Sequence, residues 1–135
     1  MFLLDTSTVI AIINDRPKMA RLRYRDALSS LVPIEISLVM LMELTYGAEH
    51  GQRRESNLEQ LKAFLVGGVG IAGLSAEDGV QSGRLRAQLA LAGTPIGPYD
   101  LLIAGQALHR RATLVTHNAK EFGRVPNLRL EVWVD

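Results

Sequence analysis

Short apolar runs alternate with longer amphipathic segments along this chain. The short runs end at polar, glycine or proline residues and are typical of buried strands. The longer segments repeat apolar residues every three or four positions, as Leu58, Leu61 and Leu65 do, which is typical of helices. The predicted strands are 2–5, 34–37, 69–74, 113–116 and 128–132, and the predicted helices are 7–14, 18–31, 38–49, 53–65, 75–91, 99–110 and a turn at 118–122. This alternation predicts an α/β fold, with a mostly parallel central sheet and helices on both faces.

Capping residues and prolines mark several of these boundaries. Ser37 and Ser75 precede apolar-periodic segments and are predicted N-caps. Pro17 and Pro98 suit the first turn of a helix, where the missing N–H costs nothing. Gly93 follows the longest predicted helix and suits its C-terminal end.

The composition limits the class of protein. A chain of 135 residues with 47% hydrophobic and 21% charged residues is expected to form one folded domain, 1–135. The absence of cysteine excludes a disulfide framework and a thiolate zinc site. No apolar run approaches the ~18 residues that span a bilayer, and Asp5 interrupts the apolar start as no signal peptide would. We therefore expect a cytoplasmic protein that does not enter a membrane.

The charge pattern is close to neutral. The formal net charge is +1, which is far from the strongly basic balance of a protein that coats nucleic acid. Arginines are concentrated in four groups, at positions 21/23/25, 53/54, 84/86 and 110/111, and such groups are mostly solvated helix faces.

Asp5 ends the first predicted strand, directly after Phe2-Leu3-Leu4. In open α/β sheets, ligands bind at the carboxyl edge of the strands, and Asp5 is predicted to lie on that edge. Ser7 or Thr8 would then cap the following helix. The alternative is that Asp5 is only a turn or cap residue.

Glu43 lies in Leu38-Val39-Met40-Leu41-Met42-Glu43-Leu44, a helix predicted to be buried on most sides. A carboxylate in such a helix is costly unless it is paired or binds a cation. The alternatives are a narrow polar stripe shared with Ser37 and Tyr46, or a pair with one arginine.

Asp100 and Asn118 are the two further candidates. Asp100 falls in the first turn of the helix opened by Pro98, where the helix dipole alone could account for it, but an apolar core segment follows directly. Asn118 follows the strand 113–116, where it suits a helix cap and equally supplies an oxygen for a cation. The three histidines show no metal-ligand spacing, so we assign no zinc site.

Three carboxylates and an amide at strand ends or inner helix faces define a site of hard oxygen ligands. Such ligands suit Mg²⁺ or Mn²⁺, and carboxylates gathered together raise each other's pKa unless a cation neutralises them. A divalent ion held in this way favours phosphoryl chemistry.

In the order of these residues, the chain resembles the PIN-domain ribonucleases, and more narrowly the VapC toxins of bacterial toxin–antitoxin pairs. The matching segments are 1–7, 42–49, 95–104 and 114–122, together with the tail 124–133. The most specific are Pro-Ile-Gly-Pro-Tyr-Asp at 95–100 and Thr-His-Asn-Ala-Lys-Glu-Phe at 116–122.

The resemblance implies a PIN-like three-layer α/β/α domain that acts as an Mg²⁺- or Mn²⁺-dependent endoribonuclease. By position, Asp5, Glu43, Asp100 and Asn118 match the catalytic and metal-binding residues of the family. Asn118 replaces an aspartate found in some members, which removes one negative charge. The resemblance also implies a structured RNA substrate, namely initiator tRNA cut in its anticodon stem-loop, together with a VapB-type antitoxin and a homodimer.

Two other functions remain open at this point. One is a non-catalytic PIN-like module that binds RNA or protein, which would need an eroded acidic site. The other is a different metal-dependent phosphohydrolase, which the acidic residues alone do not distinguish from a ribonuclease.

Overall fold

The computed structural model describes residues 1–134, which form a parallel sheet between two layers of helices. The strands are β1 (Phe2–Leu4), β2 (Ile34–Ser37), β3 (Gly70–Ala72), β4 (Thr113–Val115) and β5 (Arg129–Glu131). The helices are α1 (Thr6–Asn14), α2 (Lys18–Ser29), α3 (Leu38–His50), α4 (Arg54–Leu65), α5 (Ala76–Leu91), α6 (Pro98–Arg110) and α7 (Ala119–Phe122). The predicted fold class is confirmed.

The sheet has the strand order β3-β2-β1-β4-β5, and every neighbouring pair is parallel. From β1 the chain builds outward through β2 and β3, and later through β4 and β5 on the other side. The order therefore reverses between β1 and β4, where Phe2 pairs with Thr113 and Leu4 with Val115. A crevice at the carboxyl ends of two such strands is the usual ligand site of an open α/β sheet.

The core lies on both sides of the central strands. Leu3, Leu4 and Leu114 have no exposed surface, because strands covered on both faces carry continuous apolar runs. Trp133 is also buried, and its ring meets Phe2 edge-on with the centroids 5.3 Å apart. The C-terminal segment therefore closes one side of the core.

A buried polar network holds α5 and α6 against the end of β3. Ser75 and Asp78 form a capping box at the start of α5, as the sequence predicted for Ser75. Asp78 is fully buried and accepts a hydrogen bond from Arg110 Nη2 at 3.3 Å. Gln106 Nε2 donates to the carbonyl oxygens of Ala72 and Gly73 at 3.0 and 3.1 Å. The network replaces the strand hydrogen bonds that β3 lacks beyond Ala72, so β3 is shorter than the predicted 69–74.

Other boundaries differ for local reasons. The predicted helix 18–31 ends at Ser29, and Leu31 has a positive φ of 62° that no α-helix accommodates. The predicted strand 128–132 is confined to Arg129–Glu131. Helix α6 begins at Pro98 and Gly93 ends α5 with a φ of 72°, both as predicted.

The expectation that α3 is buried on most sides was wrong. Val39, Met40 and Leu44 are buried, but Leu38, Met42 and Tyr46 form an exposed stripe, because no other element in residues 1–134 covers this side of the helix. Within the same residues, no helix is both long and apolar enough to cross a membrane.

Candidate active site

Asp5 lies at the point where the strand order reverses. Its backbone N–H donates to Val115 O at 2.8 Å, which extends the pairing of β1 with β4 by one residue. Its side chain caps α1, because Oδ1 accepts from Thr6 N at 2.9 Å. The predicted caps, Ser7 and Thr8, were wrong, since the helix starts at Thr6 and Thr8 is buried with its hydroxyl donated to Val115 O. Asp5 is thus both a cap and a residue of the crevice.

Thr116 fixes the second oxygen of Asp5. The fully buried Thr116 donates its hydroxyl to Asp5 Oδ2 at 2.8 Å, and the same hydroxyl accepts from Asn118 N at 2.9 Å. Nearby, His117 N donates to Ser7 Oγ at 3.2 Å. These bonds join the start of α1 to the turn after β4, so Asp5 and Asn118 are held side by side.

Asn118 occupies the N-cap position of α7, but its side chain makes no capping hydrogen bond. The predicted role of its side chain as a helix cap was therefore wrong. Instead, Asn118 Nδ2 donates to Glu121 Oε2 at 2.9 Å, because residues three apart on a helical turn face the same way. This hydrogen bond orients the Glu121 carboxylate.

Glu121 is the acidic residue at this edge that the sequence reasoning did not assign. The hydrogen bond from Asn118 is the largest of the effects that lower its pKa, and its side chain also interacts with Asp100. The spacing of Asn118 and Glu121 within the conspicuous segment 116–122 was the available indication.

Asp100 and Glu43 face the same region from two other helices. Asp100 lies in the first turn of α6, and burial together with the carboxylates of Glu121, Asp5 and Glu43 raises its pKa to about 6. Burial, followed by the charge of Asp5, raises the pKa of Glu43 above its usual value. In residues 1–134 no arginine or lysine lies within ion-pair distance of Glu43, Asp100 or Asp5. In the same residues, Asp5, Glu43 and Asp100 are therefore not paired with a basic side chain, whereas the charge of Arg124 contributes to the lowered pKa of Glu121.

The donor chemistry of this region fits a divalent cation. Carboxylate and amide oxygens are the ligands that Mg²⁺ and Mn²⁺ take, and a cation would remove the repulsion that raises the pKa of Asp100. As the side chains stand in residues 1–134, no group of three acidic or histidine residues is close enough to share one ion. The carboxylates are thus near enough to raise the pKa of Asp100, but in the described residues they do not surround one point.

A groove of about 240 Å³ adjoins Glu43. It lies between α1, α3 and α4, and its apolar wall includes Ile10, Ile13 and Leu61, with Asn57 and Gln60 as polar groups. The helices α1 and α4, which border this groove, also bury Val9 and Phe64 in the core.

The chain matches the model of a known family. The PIN domain family model matches residues 2–128 of the chain. The chain belongs to the PIN domain family.

Named relatives narrow this class. The chain is 39% identical over 132 residues to the tRNA(fMet)-specific endonuclease VapC of Salmonella typhimurium, covering 98% of this chain and 97% of that protein. It is also 39% identical over 133 residues to ribonuclease VapC2 of Rickettsia felis, with 98% of each chain covered. The DNA-bound VapBC structure from Salmonella typhimurium contains a chain that matches with a TM-score of 0.89, covering 98% of this chain and 97% of that one. Within the PIN domains, this chain is a member of the VapC group.

Proposed function

We propose that this protein is the toxin of a toxin–antitoxin pair and acts as a metal-dependent endoribonuclease. The observation that carries the proposal is the set of carboxylates without a basic partner near the strand reversal, Asp5, Glu43 and Asp100, in a chain that matches ribonucleases of the VapC group over nearly its full length. The acidic residues come from four different elements, which is expected of a reaction site and not of a single helix cap.

Asp5, Glu43, Asp100 and Asn118 are the proposed catalytic and metal-holding residues. When bound, Mg²⁺ or Mn²⁺ would polarise the phosphate of the substrate and lower the pKa of a water molecule. Thr116 orients Asp5 through a 2.8 Å hydrogen bond, and Asn118 orients Glu121 at 2.9 Å. When no cation is present, burial and the neighbouring carboxylates raise the pKa of Asp100 to about 6, so its carboxyl group gains a proton in mildly acidic solution and is mostly ionised at neutral pH.

The substrate we propose is a structured RNA, namely initiator tRNA cut in its anticodon stem-loop. The support is the name of the Salmonella relative, a tRNA(fMet)-specific endonuclease. We further propose a homodimer in the cytoplasm that is inhibited by a VapB-type antitoxin. The groove bordered by α1, α3 and α4 is our candidate for the antitoxin contact, because it combines an apolar wall with access to Glu43.

Incubation of the antitoxin-free protein with total tRNA, in Mg²⁺, Mn²⁺ or EDTA, tests the proposal. Discrete cleavage that requires metal, is lost in Asp5→Asn and Asp100→Asn, and persists in Glu59→Gln is the expected result. Glu59 is the matched control because it is an exposed acid on α4 outside the cluster. Equal cleavage by all four proteins would contradict the assignment of the site.

A non-catalytic binding module is the second candidate. The specific observation in its favour is that, in residues 1–134, the acidic side chains do not converge as ligands of one ion. Absence of cleavage together with absence of Mn²⁺ binding by calorimetry would select this candidate. Metal binding without RNA cleavage would point to another phosphohydrolase.

A further inference from the structure

The chain has seven aromatic residues, and their placement is uneven. Most of them belong to the core: Tyr24, Phe64, Phe122 and Trp133 are buried, and Phe2 is partly buried against Trp133. The two exposed ones are Tyr46, with 65% of its surface accessible, and Tyr99, with 52%. Both lie within three positions of a carboxylate of the candidate site.

Tyr46 lies one turn after Glu43 on α3. Residues three apart on a helix share a face, and helical side chains lean toward the N-terminus, here toward the turn that carries Glu43. The Tyr46 ring is stacked on the imidazole of His50, with the centroids 5.2 Å apart and the planes at 11°. The stack fixes the ring orientation and leaves Tyr46 largely open to solvent.

Tyr99 directly precedes Asp100 in the first turn of α6. It is held at the edge of the sheet by Pro98 at the first helical position, and more than half of the residue is exposed. Exposed side chains with N–H donors are available at the same edge, because the imidazole of His117 precedes Asn118 and the cationic Lys120 lies in α7. An exposed aromatic surface is thus combined with groups able to contact phosphates.

We propose that Tyr46 and Tyr99 are base-stacking residues that hold unpaired RNA bases beside the carboxylates. The inference rests on the proposed ribonuclease function and adds how its substrate is bound. Single-stranded loops are recognised largely by stacking splayed bases on aromatic rings, and paired bases are not available for this. Stacking tolerates any base, since every base has a π-face. Tyr46 and Tyr99 thereby select unpaired segments, and leave the choice of sequence to other contacts.

Binding of a fluorescein-labelled RNA hairpin tests the proposal, with the loop sequence of the initiator tRNA anticodon. The measurements use the Asp5→Asn background so that the RNA is not cut. Tyr46→Ala and Tyr99→Ala are each expected to weaken binding by roughly 5- to 150-fold, the range that stacking of one base corresponds to. Tyr46→Phe should retain binding, because it keeps the ring. Leu91→Ala is the control, since Leu91 is 92% exposed at the end of α5.

A fluorescence readout locates the base. Tyr46→Trp places an indole at the proposed stacking position. The fluorescence emission of this indole should change when the hairpin binds, but not when a fully paired duplex is added. The native Trp133 is only 1% exposed and is shielded from this change. Leu91→Trp serves as the matched control and should show no response.

Three outcomes would overturn the inference. Binding that is unchanged in both alanine variants, with metal-dependent cleavage intact in the parent, refutes the stacking role and leaves the proposed function standing. Normal RNA binding by Tyr46→Ala, with loss of co-purification of a co-expressed VapB-type antitoxin, would assign the exposed stripe of Leu38, Met42 and Tyr46 to a protein contact instead. Absence of both RNA binding and cleavage in the parent would remove the proposed function and the inference with it.

Discussion

Gly105 lies where α6 crosses α5, and its replacement by alanine is expected to force the two helices apart. A methyl group at this position would overlap Ser82 Oγ, and it would lie 2.8 Å from Ser82 N and 2.9 Å from Ser82 Cα. Carbon atoms prefer separations of about 3.5–4.0 Å. Because two of the three contacts involve backbone atoms, no rotamer change of Ser82 relieves them.

The expected cost follows from two opposing effects. Overpacking of a core costs about 1–3 kcal/mol, and a clash with backbone belongs at the upper end of that range. Alanine also favours helix over glycine by roughly 1 kcal/mol, so the net loss in the free energy of unfolding should be about 2 kcal/mol. Since α6 also carries Asp100, the displacement should reach the candidate site.

Urea unfolding followed by circular dichroism measures this loss. Gly83→Ala is the matched control, because Gly83 is the next residue of α5 and a Cβ there meets nothing within 4 Å. The free energy of unfolding of Gly83→Ala should rise by about 0.5–1 kcal/mol, because alanine has a higher helix propensity than glycine. Adding Ser82→Ala to Gly105→Ala should restore less than half of the loss, since the contacts with N and Cα remain. A Gly105→Ala protein as stable as Gly83→Ala would refute the reasoning.

The remaining predictions concern charge. Without metal, the pKa of Asp100 is raised from 3.8 to about 6, so the folded protein holds this proton more tightly than the unfolded chain. Stability should fall as the pH rises through that range, by roughly 1 kcal/mol after allowance for solvent screening. Urea midpoints should show a smaller fall for Asp100→Asn, in which Glu43 remains as a carboxyl group with a raised pKa. Mg²⁺ at a tenfold excess over its Kd should stabilise the wild type by about 1.4 kcal/mol in thermal melts, and Asp5→Asn should show a much smaller gain. Arg110→Met should cost about 3 kcal/mol in urea unfolding, because it leaves the buried Asp78 unpaired. Arg54→Met breaks an exposed pair with Glu49 and should cost less than about 1 kcal/mol.

The order and type of the helices and strands could be predicted from the sequence, because the spacing of apolar residues and the capping residues are local properties. Ser37 and Ser75 cap α3 and α5 as expected, with hydrogen bonds to Val39 N and Asp78 N. Pro98 opens α6 for the same local reason. The length of β3 was not predictable in this way, since the carbonyls that end it are bound by Gln106, 34 positions away from Ala72.

In the candidate site, too, local features were predictable from the sequence and long-range contacts were not. A carboxylate at a strand end or in an apolar helix is visible in the sequence, which is why Asp5, Glu43 and Asp100 were singled out. The electrostatic influence of Asp5 and Glu43 on Asp100 depends on the strand order. This order cannot be predicted from a local sequence pattern. The hydrogen bond between Asn118 and Glu121 was also missed, because a helix cap was the simpler local interpretation of Asn118.

The hydrogen bond from Thr116 to Asp5 joins residues that are 111 positions apart. β1 emerges first from the ribosome, yet its neighbour β4 is among the last strands to be made, so the reversal between them forms late in synthesis. A nascent chain therefore carries Asp5 and Glu43 for most of its translation without the residues that complete the acidic edge. The proposed nuclease site is thus completed only when the chain is nearly finished, although its first carboxylate is among the first residues to be made.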